Sequence, residues 1–156
     1  MLPLHRVAWY GVAYLSWGEA VQMFLVRVTV KSSAIHRLGV FAAEPVRKGT
    51  AVWCFTPGFD LELPPSALDA LTPLQRERLL HYGYMDPRLD RYILCCDDAR
   101  FLNHSAQPTL LQDLASTRHG IDRAARDLAI GDELTVDYGT FEVPPESSTP
   151  ERGVAR

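Results

Sequence analysis

The stretch RFLNHSAQP, residues 100–108, sets an amide, an imidazole and a hydroxyl in succession at Asn103, His104 and Ser105. They follow an apolar pair, Phe101 and Leu102, and Pro108 closes the segment. With Asp97 and Asp98 just upstream, a Ser-His-Asp hydrolase is the first chemistry to test. Neighbouring side chains on an extended chain point to opposite faces, so His104 is badly placed as a base for Ser105. There is no Gly-x-Ser-x-Gly elbow either. An Asx-type turn with a buried amide capping the backbone accounts for the same residues without catalysis.

Other chemistries fare no better on spacing alone. HRLGV (36–40) and YGTF (138–141) are not glycine-rich loops opening a helix, so neither a P-loop nor a dinucleotide fingerprint is present. The five histidines have no metal-ligand spacing, and the cysteines Cys54, Cys95 and Cys96 contain no CxxC pair. No metal is expected, and reduced thiols in a cytoplasmic protein are the plain reading. The acidic pairs Asp97/Asp98 and Asp132/Glu133 mark turn and strand starts.

The elements that must position these residues are mostly strands. FLVRVTVK (24–31) alternates, with Phe24, Val26, Val28 and Val30 on one face, as a half-buried strand does. GVFAA (39–43) and TAVWCF (50–55) are further strands, joined by EPVRKG with its Pro45 and Gly49. RYILCC (91–96), TLLQDL (109–114) and DELTV (132–136) continue the series. One helix is predicted in TPLQRERLLHYG, with Thr72 as N-cap, Pro73 at the first position, Gln75 three residues after the cap, and Gly83 as the stop. PPSALDAL upstream can add a turn or two. In IDRAARDLAIGDE the alanines favour helix, whereas Ile121, Arg123 and Ala125 alternate as in a strand; periodicity leaves both open.

At 156 residues, 47% hydrophobic and 22% charged, the chain can bury one ordinary core. Residues 1–50 carry six Lys/Arg against two Asp/Glu, and residues 51–156 ten against seventeen. The acidic larger part favours a basic partner over nucleic acid, although a merely solubilising surface explains it equally well. The apolar run Val7–Leu15 is too short to span a bilayer, so no membrane partner is implied. Residues 1–22 read as an extension upstream of a true start at Met23; a short packed helix and a secretion signal are the second and third readings. Residues 23–143 form the domain, and the Pro/Ser-rich 144–156 a flexible tail.

Three blocks, IHRLGVFAAEPVRKGT, RFLNHSAQP and GDELTVDYG, occur in an order and at separations that resemble the SET-domain protein lysine methyltransferases. The resemblance runs from about Phe24 to Phe141 and is closest to compact single-domain members of bacteria and viruses. It implies a mainly β architecture with short helices, the β-clip SET fold, whose last strand threads under a loop as a C-terminal pseudoknot. It implies S-adenosylmethionine as cofactor, S-adenosylhomocysteine as product and no metal. By resemblance His36, Leu38, Gly39, Asn103, His104 and Tyr138 bind the cofactor, and Tyr138 is the active-site tyrosine. Tyr82, Tyr84, Val136 and Phe141 are candidates for the substrate channel. Glu133 and Asp137 read as structural partners rather than bases.

The chain departs from the family pattern at several points. Arg37 stands where the first glycine of a Gly-x-Gly block is usual, and Ala106 and Thr109 replace a cysteine and an asparagine. The cysteine cluster that follows the tyrosine in many members is missing, so Phe141, the tail or a second subunit must close the channel; a homodimer is one such arrangement. Val136 stands where many members carry a Phe or Tyr that governs product multiplicity. The expected function is transfer of methyl to a lysine amine of a basic protein. The alternatives are a SET-like binding module without catalysis, for which Arg37 is the best argument, and a methyltransferase acting on something other than lysine.

Overall fold

The computed structural model describes residues 23–140. The expectations for residues 1–22, Phe141 and the tail 144–156 fall outside the described residues. Ten short strands, one α-helix and three 3-10 turns follow one another among them.

Strands β1 (Val28–Ser32) and β2 (Leu38–Ala42) form an antiparallel hairpin in the register Val28↔Ala42 to Ser32↔Leu38. The strand starts later than its alternation predicts, because Phe24 instead bridges to Trp53 of β3 (Ala51–Cys54). Phe24, Val26, Val28 and Val30 nevertheless all pack on the core, so the face assignment holds. The continuous apolar run of β2 has its reason in topology. β2 lies between β1 and β10 (Glu133–Val136), and Gly39 to Ala42 are all buried.

The ambiguous stretch resolves as β9 (Ile121–Ala124), with β3 on one side and β8 (Leu110–Asp113) on the other. Tertiary pairing overrides the alanine propensity here, since β9 has a ladder on both edges. Val40, Val52, Leu110 and Leu134 are fully buried where this sheet meets the first. Each such side chain contributes roughly 1.5–3 kcal/mol relative to exposure.

A third sheet, in the order β4 (Leu61–Leu63), β6 (Arg91–Leu94), β5 (Gly83–Asp86), carries the helix. The predicted capping box is present at α1 (Pro73–Tyr82). The Thr72 side chain accepts from the Gln75 N–H, and the Gln75 side chain accepts from the Thr72 N–H. PSALDA, Pro65–Ala70, forms a 3-10 turn ahead of it. Gly83 ends the helix, but in extended rather than left-handed backbone. Its glycine is required by crowding: a Cβ there would lie 2.8 Å from the Ile93 carbonyl and 2.9 Å from that of Leu79. The strands β4 and β5 were not predicted; GYMD and LEL are too short to show a period.

The fourth strand of the first sheet is β7, only Asn103–His104, which pairs in parallel with β10 in the register Asn103↔Thr135 and His104↔Val136. β10 is thus inserted between β2 and β7, as the C-terminal pseudoknot implied by the resemblance requires. Thr109 extends the clasp. Its N–H donates to Thr135 Oγ1 (3.0 Å), and its hydroxyl donates to the Glu133 carbonyl (3.0 Å) and accepts from the Thr135 N–H (2.8 Å).

Candidate active site

The segment preceding Asn103 is held by a buried hydrogen bond. Trp53 Nε1 on β3 donates to Asp97 Oδ2 at 3.0 Å, and Asp97 Oδ1 caps the 3-10 turn Asp98–Phe101 by accepting from the Ala99 N–H. Burial pushes the Asp97 carboxyl above its usual range, against the two hydrogen bonds that favour the charged form.

Asn103 itself is buried, and its amide nitrogen is fully engaged. Nδ2 donates to the Leu38 carbonyl (3.0 Å) and to Glu133 Oε1 (2.7 Å), with the His36 carbonyl at 3.5 Å. Glu133 also accepts from Ser33 Oγ at 2.7 Å. One side chain therefore ties the 36–38 loop to the last strand through Glu133. Gly39 belongs to the same cluster, since a Cβ there would sit 2.3 Å from Glu133 Oε1. Arg37 is exposed and adopts φ 36°, in the left-handed region that glycine enters most easily. The backbone thus follows a glycine-like path despite the substitution.

On the far side of β7, His104 Nδ1 accepts from the Tyr138 N–H at 3.2 Å. The same nitrogen lies 3.7 Å from Asp137 Oδ1. The hydrogen bond is the shorter of the two contacts, and as its acceptor Nδ1 is without a proton to give Asp137. The two rings are 5.4 Å apart. Tyr138 donates its hydroxyl to the Leu102 carbonyl at 2.6 Å. With that proton committed, the phenol meets a further group as an acceptor.

Tyr138, Tyr82, Tyr84 and Val136 line one cleft of about 150 Å³. The structure brings together every channel candidate that it describes. Trp53, Leu102, Gln112 and Asp122 complete much of its wall and were not predicted. Asp122 is 6% exposed, and burial pushes its carboxyl up to about 7. No signal in the sequence marked it, since the alternation in IDRA does not tell the Asp122/Ala124 face, which the structure buries, from that of Ile121 and Arg123.

The family model of the SET domain matches residues 37–139. The chain belongs to the SET domain family. No curated protein sequence matches it. Among solved structures, a Plasmodium falciparum candidate histone methyltransferase superposes with TM-score 0.52 at 19% identity, covering 73% of this chain and 94% of that one. Two structures of Polycomb Repressive Complex 2 from Chaetomium thermophilum, one apo and one humanized and inhibitor-bound, give TM-scores of 0.59 and 0.55. Their identities are 19% and 20%, and each match covers 76% of this chain and 16% of that one. At these identities the likeness is one of fold: the SET domain here has the architecture of methyltransferases. No helix among the described residues is long and apolar enough to cross a membrane.

Proposed function

We propose that this SET domain transfers methyl from S-adenosylmethionine to a lysine side chain of a basic protein in the cytoplasm. The observation that carries the reading is the position of Tyr138, which borders His104 of the pseudoknot and lines the cleft with Tyr82, Tyr84 and Val136. A residue that borders both regions is what a reaction between two separately bound molecules requires.

The residues fit an adenosine-bearing cofactor. The 36–38 loop is fixed by Asn103, and exposed apolar surface is present at Leu38 (43%) and at Tyr138 (38%), the latter ring 5.4 Å from that of His104. Bound there, the cofactor supplies an electrophilic methyl group. His36, Leu38 and Gly39 would hold its methionine end, and Asn103 and His104 its adenosine end, largely through backbone groups. Arg37 leaves this arrangement intact because its side chain is exposed.

A lysine ammonium has no lone pair, and its ordinary pKa of about 10.4 must fall before attack. The apolar walls at Leu102 and Val136 favour the neutral amine. Tyr138, its proton given to Leu102, accepts from the amine and orients it. Alignment to a near-attack distance of about 3–3.5 Å is the main contribution of the protein.

The test is calorimetric titration of the full chain with S-adenosylmethionine, followed by transfer of labelled methyl to a basic protein mixture. Micromolar binding with label on lysine supports the reading. Binding without transfer favours the non-catalytic module, and label that persists when substrate lysines are changed to arginine favours a different acceptor.

A further inference from the structure

Two rows of side chains, one on each of two sheets, meet at the cleft. On the third sheet Glu62 of β4 pairs in register with Ile93 of β6, and Ile93 with Tyr84 of β5, so the three share a face. On the second, Gln112 of β8 pairs with Asp122 of β9, and Asp122 with Trp53 of β3. Tyr84 of the first row and all three residues of the second line the cleft. How the two rows are held apart therefore decides how wide it is.

A polar contact outside the cleft joins them. His119, in the turn between β8 and β9, has Nε2 2.7 Å from Glu62 Oε2. Partial burial opposes ionisation of Glu62, but His119 and Arg118 outweigh it and hold the carboxyl below its usual range. An ionised carboxylate only accepts, so Nε2 carries the proton and donates it. The His119 ring stacks on Phe55, with centroids 3.8 Å apart and 13° between the planes. Arg118 donates to Glu62 Oε1 at 2.8 Å, and Arg91 Nε stands 3.5 Å from the same oxygen. Both members of the His119–Glu62 pair are largely buried, which shelters the bond from the screening that weakens surface pairs.

From His119 the connection runs on to the cleft wall. Its carbonyl accepts from Gln112 Nε2 at 3.4 Å. Gly120, at φ 81°, packs so closely on Gln112 that a Cβ there would lie 2.8 Å from Gln112 Cγ. The turn holds Gln112, and Glu62 holds the turn.

We propose that Glu62 and His119 form a latch that sets the gap between Tyr84 and Gln112, which makes both of them positioning residues for the side chain entering the cleft. The identity of that side chain rests on the methyltransferase reading above; the latch rests on the geometry alone. Neither residue is part of the cleft wall, so each acts through Tyr84 and Gln112. Alignment is sensitive to such shifts, since a displacement of about 1 Å can cost on the order of a hundredfold in rate.

The experiment uses the full chain labelled with 3-fluorotyrosine, the Tyr84 ¹⁹F resonance being assigned with Tyr84→Phe. His119→Phe keeps a ring to stack on Phe55 but removes the bond to Glu62, and Glu62→Leu removes it from the other end. Glu62→Gln keeps an acceptor for Nε2–H. The Tyr84 resonance is expected to move in the first two variants and to return to the wild-type position in Glu62→Gln. In the same two variants kcat for methyl transfer should fall about tenfold, with S-adenosylmethionine affinity unchanged and with Glu62→Gln close to wild type. Circular dichroism checks folding, and Glu62→Leu carries the test should His119→Phe not fold. A Tyr84 resonance at the wild-type position in the folded variants overturns the latch. A moved resonance with wild-type kcat overturns the positioning role. Failure of the wild type to bind S-adenosylmethionine, with Tyr84 still moved by the variants, overturns the methyltransferase reading alone.

Discussion

Asn103 Nδ2 lies 2.7 Å from Glu133 Oε1, a buried amide against a carboxylate thirty residues later in the chain. That contact joins the loop carrying the proposed cofactor residues to the strand leading to Tyr138. The contact exists only when β10 lies between β2 and β7.

Asn103→Ala removes donors to Glu133 and to the Leu38 carbonyl together. The expected cost is about 1.5–3 kcal/mol for a hydrogen bond to a charged group, read as a lower urea midpoint at unchanged m-value. S-adenosylmethionine affinity should fall with it by tenfold or more. Unchanged affinity in the folded variant would remove Asn103 from the cofactor site.

Tyr138→Phe deletes one hydroxyl that donates to Leu102. Stability should drop by only about 0.5–1.5 kcal/mol, and cofactor binding should persist, because the His104 contact uses the Tyr138 backbone. Turnover should fall at least a hundredfold. A collapse of thermal stability would instead make the tyrosine a core residue.

Arg37 pays the steric penalty of a left-handed backbone, roughly 1–2 kcal/mol. Arg37→Gly relieves it but adds about 0.5–1 kcal/mol of unfolded-state entropy. A small net gain, about 0.5 kcal/mol, is expected for glycine. Arg37→Ala keeps the Cβ and should gain nothing. Equal melting temperatures for the two variants would show that φ strain is not what distinguishes this position.

Asp122 sets a pH dependence whose sign is opposite to that of an ordinary paired carboxylate. Its folded pKa of about 7 lies above the unfolded value near 3.8, so the native protein holds an extra proton between them. The neutral carboxyl is tolerated fully below about pH 4, and stability is lost as pH rises through about 7. Asp122→Asn should match wild type in acid and exceed it in melting temperature at mildly alkaline pH. Taking the difference cancels carboxylates such as Asp132, held below the usual range by Arg126. Parallel melting curves across the whole range would refute the shift.

The helix at 73–82 was legible in every detail that is local, since Thr72, Pro73 and Gln75 act within one turn of the chain. So was the interior face of the first strand, because period-two alternation needs only its own residues. The block pattern around Asn103 and Tyr138 carried the family, because those residues sit in short runs of fixed chemistry. Gly83 was legible as a stop but not in its reason, a carbonyl contributed by β6.

By itself, then, the sequence determined the strand-rich architecture, the capped helix and the family of the site. The tertiary structure alone decided that Asn103 bonds Glu133, that Gly39 makes room for that carboxylate, and that Asp122 faces a cleft beside Gln112 and Trp53. The physical reason is the same in each case. Caps and alternation are set by interactions within a few residues, whereas these contacts depend on strand register across sheets. Register is fixed only once β9 lies between β3 and β8 and β10 between β2 and β7.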